Sequence, residues 1–216
     1  MENILQNITI YAIPLLFAIT VHEAAHAYAA KHFGDGTAYM LGRVTLNPIK
    51  HIDPIWTIVM PIVILILSSF TFTFGGAKPV PVNFAALRNP KRDMIWVAAA
   101  GPAANLAMMI IWALVGKIAT TLPISEPIVF ITLVAKAGIF VNALLMVFNL
   151  FPILPLDGGR ILVGLLPNRA AYEFSKLEPF GMFILVGLIL TGVVGFFLGP
   201  MVRFSMNAVY SLIGLN

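Results

Sequence analysis

The stretch Phe17-Ala-Ile-Thr-Val-His-Glu-Ala-Ala-His-Ala-Tyr-Ala-Ala30 sets two histidines and a glutamate in the middle of an apolar run. On a helix turning about 100° per residue, His22 and His26 lie about 40° apart, one turn above each other. Both imidazoles can therefore reach one metal ion. Glu23, adjacent to His22, is placed to take a proton from a water activated at that metal, the HExxH arrangement of zinc hydrolases. Ionisable groups are costly inside a membrane span and are functional there by default, so the setting sharpens a short motif.

The rest of the chain agrees that the setting is a membrane. Of 216 residues, 60% are hydrophobic and only 10% charged, and the mean hydropathy is +0.96. So few charges cannot clothe a soluble surface, and a disordered chain is excluded with it. Apolar runs cover residues 4 to 33, 52 to 74, 93 to 121, 127 to 151, 158 to 167 and 179 to 199, and turn residues such as Gly34-Asp35-Gly36, Gly75-Gly76 and Pro167-Asn168 separate them. The final stretch from Pro200 reads as an interfacial helix or as the end of the last span. The expected fold is an all-α polytopic membrane protein of five to six membrane elements. Residues 1 to 216 read as one domain, with a C-terminal membrane segment over 179 to 216. The net charge of +4 places Lys and Arg in cytoplasmic loops rather than on a nucleic-acid-binding face. With no cysteine in the chain, disulfides, thiolate zinc sites and cysteine nucleophiles are ruled out, and any metal needs His and carboxylate ligands. The N-terminus has no positively charged leader, so the first run reads as a retained helix.

Orientation follows from the basic connectors. Lys31, Arg43 and Lys50 lie in the first, Lys78, Arg88, Lys91 and Arg92 in the second, and Arg160, Arg169 and Lys176 in the third. All three read as cytoplasmic, with the N-terminus outside and the active site in the cytoplasmic half of a multi-pass cell-membrane protein. Because the first two flank the run 52 to 74, that run is expected to be re-entrant, and Pro54 and Pro61 favour a broken element.

Zinc catalysis asks for three protein ligands and an open position. His32 follows His26 by six residues, but Ala29 stands where a helix-breaking glycine would be needed, and a continuing helix turns His32 about 240° away. His51 and Asp53 lie in a connector. Asp157 is the strongest candidate, since Asn149-Leu-Phe-Pro-Ile-Leu-Pro-Leu-Asp-Gly-Gly159 unwinds the end of an apolar helix and leaves a carboxylate at the break.

These residues resemble the site-2 proteases, intramembrane zinc metalloproteases. The resemblance rests on HEAAH, on NLFPILPLDGG as the family's Asn-x-x-Pro-x-x-x-x-Asp-Gly pattern, and on Gly101-Pro-Ala-Ala-Asn105 as its Gly-x-x-x-Asn element. The motifs cover the chain from about residue 8 to 160, the catalytic core that the resemblance implies, and the stretch GGAKPVPVN also looks like the segment before the family's middle core helix. The resemblance implies one Zn2+ per chain held by His22, His26 and Asp157, Glu23 as catalytic base, and a transmembrane protein as substrate. The form expected is a small one, without PDZ or CBS domains.

Other polar residues in the spans admit two readings. Asn105, Asn142 and Asn149 either bind an unwound substrate and its oxyanion or fix helix packing by interhelical hydrogen bonds. The small-residue surface from Ala98 to Ala104 reads as packing. An extended segment is expected near 75 to 83, where Pro79 and Pro81 disfavour helix and the amides of Val80 and Val82 are free to pair with an added strand. Against an endopeptidase stands a membrane transporter using the same ligands, which would need no general base.

Overall fold

The first apolar run folds as a single helix, α1 (Glu2–His32), in the computed structural model, which describes residues 2–51, 59 and 79–215. At about 1.5 Å per residue it is about 46 Å long, enough to cross about 30 Å of hydrocarbon. A one-turn helix, α2 (Thr37–Met40), follows. Asn89 and Pro90 open α3 (Pro90–Thr120), where the fixed φ of proline suits the first turn and the Asp93 carboxylate accepts the N–H of Asn89 at 2.8 Å. A short connector leads to α4 (Glu126–Asn149), after which come α5 (Asp157–Leu165), α6 (Asn168–Ser175), α7 (Glu178–Leu190) and α8 (Val193–Ile213).

Among the described residues, four helices are long and apolar enough to cross a membrane: Gln6–His32 of α1, then α3, α4 and α8. The apolar α7 is shorter, and no strand occurs among the described residues. The chain is an all-α polytopic membrane protein. Ile8, Phe17, Trp96, Ile111, Phe183 and Phe204 are exposed, as lipid-facing positions should be. The core lies between α3, α4 and α8, where Met109, Ala113, Ile139, Ala143, Val147, Val202 and Val209 are buried together. Gly138 lets α3 and α4 approach, since a Cβ there would stand 2.4 Å from the Trp112 ring.

The chain leaves α1 and enters α3 at the same end of the bundle: the N–H of Arg88 donates to the Phe33 carbonyl at 2.9 Å and its guanidinium to the His32 carbonyl at 2.6 Å. Lys91 Nζ donates to Asn168 Oδ1 at 2.7 Å, which brings the start of α6 there too. The described parts of the three basic connectors thus gather at one end. Apart from Val59, the expected re-entrant run 52 to 74 lies outside the described residues, as do residues 75 to 78 of the extended segment.

One expectation changes. The run 179 to 199 is not one element, because Gly192 takes a left-handed φ of 77° and splits it into α7 and α8. Of the two readings of the final stretch, the end of the last span holds: it completes α8, whose Val202 and Val209 are buried in the core and whose Ile213 carbonyl accepts from Lys117 Nζ.

Candidate metal centre

Helices α1 and α3 run antiparallel, and their spacings match. On α3, Val97, Gly101 and Asn105 follow one another at four-residue intervals and form one stripe; His22 and His26 face it from α1. His26 Nδ1 meets the Val97 carbonyl at 2.7 Å, and His22 Nδ1 meets Asn105 Oδ1 at 2.6 Å. Gly101 lies between these contacts. A Cβ on it would stand 2.3 Å from His26 Nε2 and 2.5 Å from His22 Cε1, so only glycine admits both rings.

The third group arrives from the unwound segment after α4. Asp157 is the first residue of α5, and the preceding loop folds tightly over the first turn of that helix. A Cβ on Gly158 would fall 2.1 Å from the Leu150 carbonyl oxygen, and one on Gly159 2.5 Å from Leu154 N. The two glycines after the aspartate are what allow its carboxylate to return to the histidines. Asp157 Oδ2 lies 3.3 Å from His22 Nε2, Asp157 Oδ1 lies 3.3 Å from His26 Nε2, and the two Nε2 atoms are 3.0 Å apart.

Hydrogen bonding decides what those atoms present. A backbone carbonyl only accepts, so His26 Nδ1 carries the proton, and in the neutral ring Nε2 then presents a lone pair. The Asn105 amide nitrogen donates to the Ala18 carbonyl at 3.2 Å and to Asn142 Oδ1 at 3.1 Å, which turns Asn105 Oδ1 toward His22 and makes His22 Nδ1 a donor as well. Both Nε2 lone pairs therefore converge on each other and on a carboxylate, with Asp157 Oδ2 buried and without a hydrogen-bond partner. With both rings neutral such a cluster is repulsive unless a cation sits within it. Ligands at about 2.0–2.1 Å from a tetrahedral ion are about 3.3–3.4 Å apart, and the observed separations fit. The donor set, two imidazoles and one carboxylate, suits zinc.

Glu23 is half-buried and its Oε2 accepts the Val80 N–H at 2.7 Å. With His22, His26 and Asp157 it lines a cleft of ≈ 440 Å³, closed on one side by Pro79, Val80 and Val82 and bordered by Asn149 and Arg160. In the segment 79–83 burial alternates: Pro79, Pro81 and Asn83 are exposed, Val80 is buried and Val82 half-buried. The Arg160 guanidinium is held by Glu178 at 2.6 Å and stacks 4.8 Å from the Phe84 ring, a tie between α5 and α7.

Of the predicted site residues, His22, Glu23, His26, Asp157, Asn149, Val80 and Val82 come together at this cleft. Asn105 and Asn142 do not face it. Both are fully buried, and the Asn142 amide donates to the Gly138 carbonyl at 2.8 Å, so they form a chain that orients His22 rather than a substrate or oxyanion contact. The Val80 N–H is not free for an added strand, because Glu23 takes it. His32 sits at the exposed end of α1 with its ring against Phe33, away from the cluster. The His51 side chain and Asp53 lie outside the described residues. Gly101 is the site residue to which the sequence reading gives no role at the metal, naming it only in the Gly-x-x-x-Asn element and the small-residue surface; its spacing of four from Asn105 is the signal that puts both on one face.

No family model matches the chain, and no solved structure matches it. It is 34% identical over 203 residues to "Putative zinc metalloprotease YwhC" of Bacillus subtilis (strain 168), covering 93% of this chain and 89% of that protein. "Putative zinc metalloprotease Rip2" of Mycolicibacterium smegmatis is 32% identical over 178 residues, 82% of this chain and 64% of the relative's own length. Rip2 of Mycobacterium tuberculosis (strain H37Rv) is 27% identical over 186 residues, 85% of this chain and 68% of its own. A buried pair of imidazole lone pairs meeting a carboxylate, and relatives matched along nearly the whole chain, lead to one assignment: this chain belongs to the zinc metalloprotease family of YwhC.

Proposed function

We propose that the protein is an intramembrane zinc endopeptidase of the site-2 protease type, with one Zn2+ per chain on His22, His26 and Asp157, that hydrolyses peptide bonds in or near transmembrane segments of other membrane proteins. The observation that carries this reading is a carboxylate, Glu23, held by a backbone N–H in the same cleft as three converging metal donors. A bound zinc supplies Lewis acidity toward the scissile carbonyl and acidifies water.

The chain's own residues do the rest. Glu23 Oε2 is occupied by the Val80 N–H, and Oε1 has no hydrogen-bond partner among the described residues, so Oε1 is the atom that takes the proton of the attacking water. The same carboxyl group then returns it to the leaving amine. Asn105 and the Val97 carbonyl keep both imidazoles in the tautomer that leaves Nε2 unprotonated. Asn149 and Val82 border the cleft where an unwound segment would lie. A carrier would need the donors but no base, and no observation favours that second reading.

The membrane setting is supported by the position of the site inside α1, whose apolar stretch runs Gln6–His32 with His22 and His26 well along it. The gathering of basic residues at the neighbouring end of the bundle supports a cell-membrane orientation with the N-terminus outside and the site in the cytoplasmic half. Comparing membrane proteomes of cells that make the parental chain or Glu23→Gln tests the function. The variant should keep zinc and accumulate uncut substrates. Parental fragments in the Glu23→Gln cells would refute the proteolytic role of Glu23, and zinc uptake by liposomes carrying Glu23→Gln would favour the carrier.

A further inference from the structure

Asp35 has no part in the cleft, yet it is fully buried and uses both carboxylate oxygens. Its placement begins at the end of α1, where Gly34 takes a φ of 113° and the N–H of Asp35 returns to the Ala30 carbonyl at 2.9 Å. Oδ1 then accepts from Thr37, from the N–H at 2.9 Å and the hydroxyl at 2.5 Å. A turn of this kind needs no more than that one oxygen. Oδ2 leaves the turn and accepts the N–H of Asn83 at 2.7 Å, 48 residues away. Three residues before Asn83, the Val80 N–H donates to Glu23.

We propose that Asp35 is a positioning residue for Glu23: by gripping Asn83 it fixes the 79–83 strap, and the strap's Val80 N–H fixes the Glu23 carboxylate. The circuit is closed. Glu23 and Asp35 flank the second half of α1, and both hold the same short segment, so neither end of the strap can shift without straining the other. The strap lacks internal hydrogen bonds to hold its shape, and its outward prolines offer none. Side-chain packing steadies it on the inner face, where Val80 is buried with Ala27 and Ala38. Burial opposes charge on Asp35, but the Thr37 hydroxyl and the Thr37 and Asn83 amides hold its carboxyl below the usual carboxylate range, so the grip is anionic and charge-assisted. The inference rests on Glu23 being the base, but the mechanical link can be read without activity.

The test uses the full zinc-loaded chain in detergent micelles and follows amide hydrogen exchange at Val80 and Asn83. In Asp35→Asn, a side chain of the same shape cannot accept from both sides, and exchange should rise roughly 10- to 100-fold at both amides, with bound zinc within twofold of parental. Thr37→Val keeps the Asn83 bond and should leave Val80 at the parental rate. If Asp35 only shapes the turn after α1, Asp35→Asn will expose the Thr37 amide and leave Val80 protected, and the proposal is overturned. Asp35→Ala repeats the measurement should Asp35→Asn misfold. Turnover of a single-span test substrate should fall by a similar factor in Asp35→Asn with KM nearly unchanged. A parental chain that cuts nothing would defeat the endopeptidase reading, while the exchange result would still decide the link from Asp35 to Val80.

Discussion

Replacing Gly101 by alanine adds one methyl group and should empty the metal centre. The new Cβ would lie 2.3 Å from His26 Nε2, 2.5 Å from His22 Cε1 and 2.6 Å from His26 Cε1, against a normal contact near 3.4 Å, so the rings must give by about 1 Å. Neither ring can swing alone. His26 is tied at Nδ1 to the Val97 carbonyl at 2.7 Å and His22 to Asn105 at 2.6 Å, and a shift that relieves the clash breaks one of those bonds. Zinc sites tolerate about 0.2 Å in ligand position. Disturbing the orientation of a single ligand costs about 10–100-fold in metal affinity, and displacing two should exceed ~100-fold, about 2.7 kcal/mol. Stability should change less, because two effects oppose. Alanine is favoured over glycine inside a helix by about 1 kcal/mol, against about 1–3 kcal/mol for overpacking. The expected protein is folded and zinc-poor. Equilibrium dialysis against graded chelator, with zinc measured per chain and a melting curve on each sample, separates the two effects. A folded Gly101→Ala protein with parental zinc affinity would refute the placement of both imidazoles against α3.

Asp157→Ala should remove zinc while His32→Ala keeps it, as measured by metal content after purification; the opposite result would reassign the third ligand. Asn105→Leu should weaken zinc by about 10–100-fold, because His22 loses the acceptor that sets its tautomer, and chelator competition reads it. Single cysteines at Tyr39, Ala85 and Asn168 are unique in a chain that has none. All three should react with a membrane-impermeant thiol reagent from the same side, and labelling from opposite sides would overturn the shared end of the three connectors.

Much of the fold was legible because membrane helices declare themselves by uninterrupted apolar length. The break at Gly192 was not. Gly187, Gly192, Gly195 and Gly199 look alike within one apolar stretch, and only Gly192 takes a positive φ. Hydropathy reports the solvent around a segment and is blind to a turn made of residues as apolar as the helices it joins. The metal donors were legible for a different reason. His22 and His26 are related by one helical turn, a local relation that spacing alone fixes, and Asp157 follows two prolines, Pro152 and Pro155, that cannot continue the helix before them.

What stayed hidden depends on which surfaces meet. Asn105 and Asn142 are equally plausible as substrate contacts until α1 is laid against α3; then Asn105 is fully buried, its amide hydrogens go to Ala18 and Asn142, and its oxygen faces His22. The Val80 N–H looked available for the complementary reason that no local pattern announces a bond to a residue 57 positions earlier. A second consequence follows from the loop that carries Asp157. Its return is enforced by backbone packed on backbone, with Leu150 over Gly158 and the Leu154 carbonyl oxygen 1.9 Å from where a Cβ of Gly181 would be. The carboxylate is thus delivered by contacts that do not involve a metal, and the imidazoles are oriented by Asn105 and Val97 without one. Two lone pairs and a carboxylate are brought together in advance, so a cation bound there would relieve a repulsion that the fold has already built.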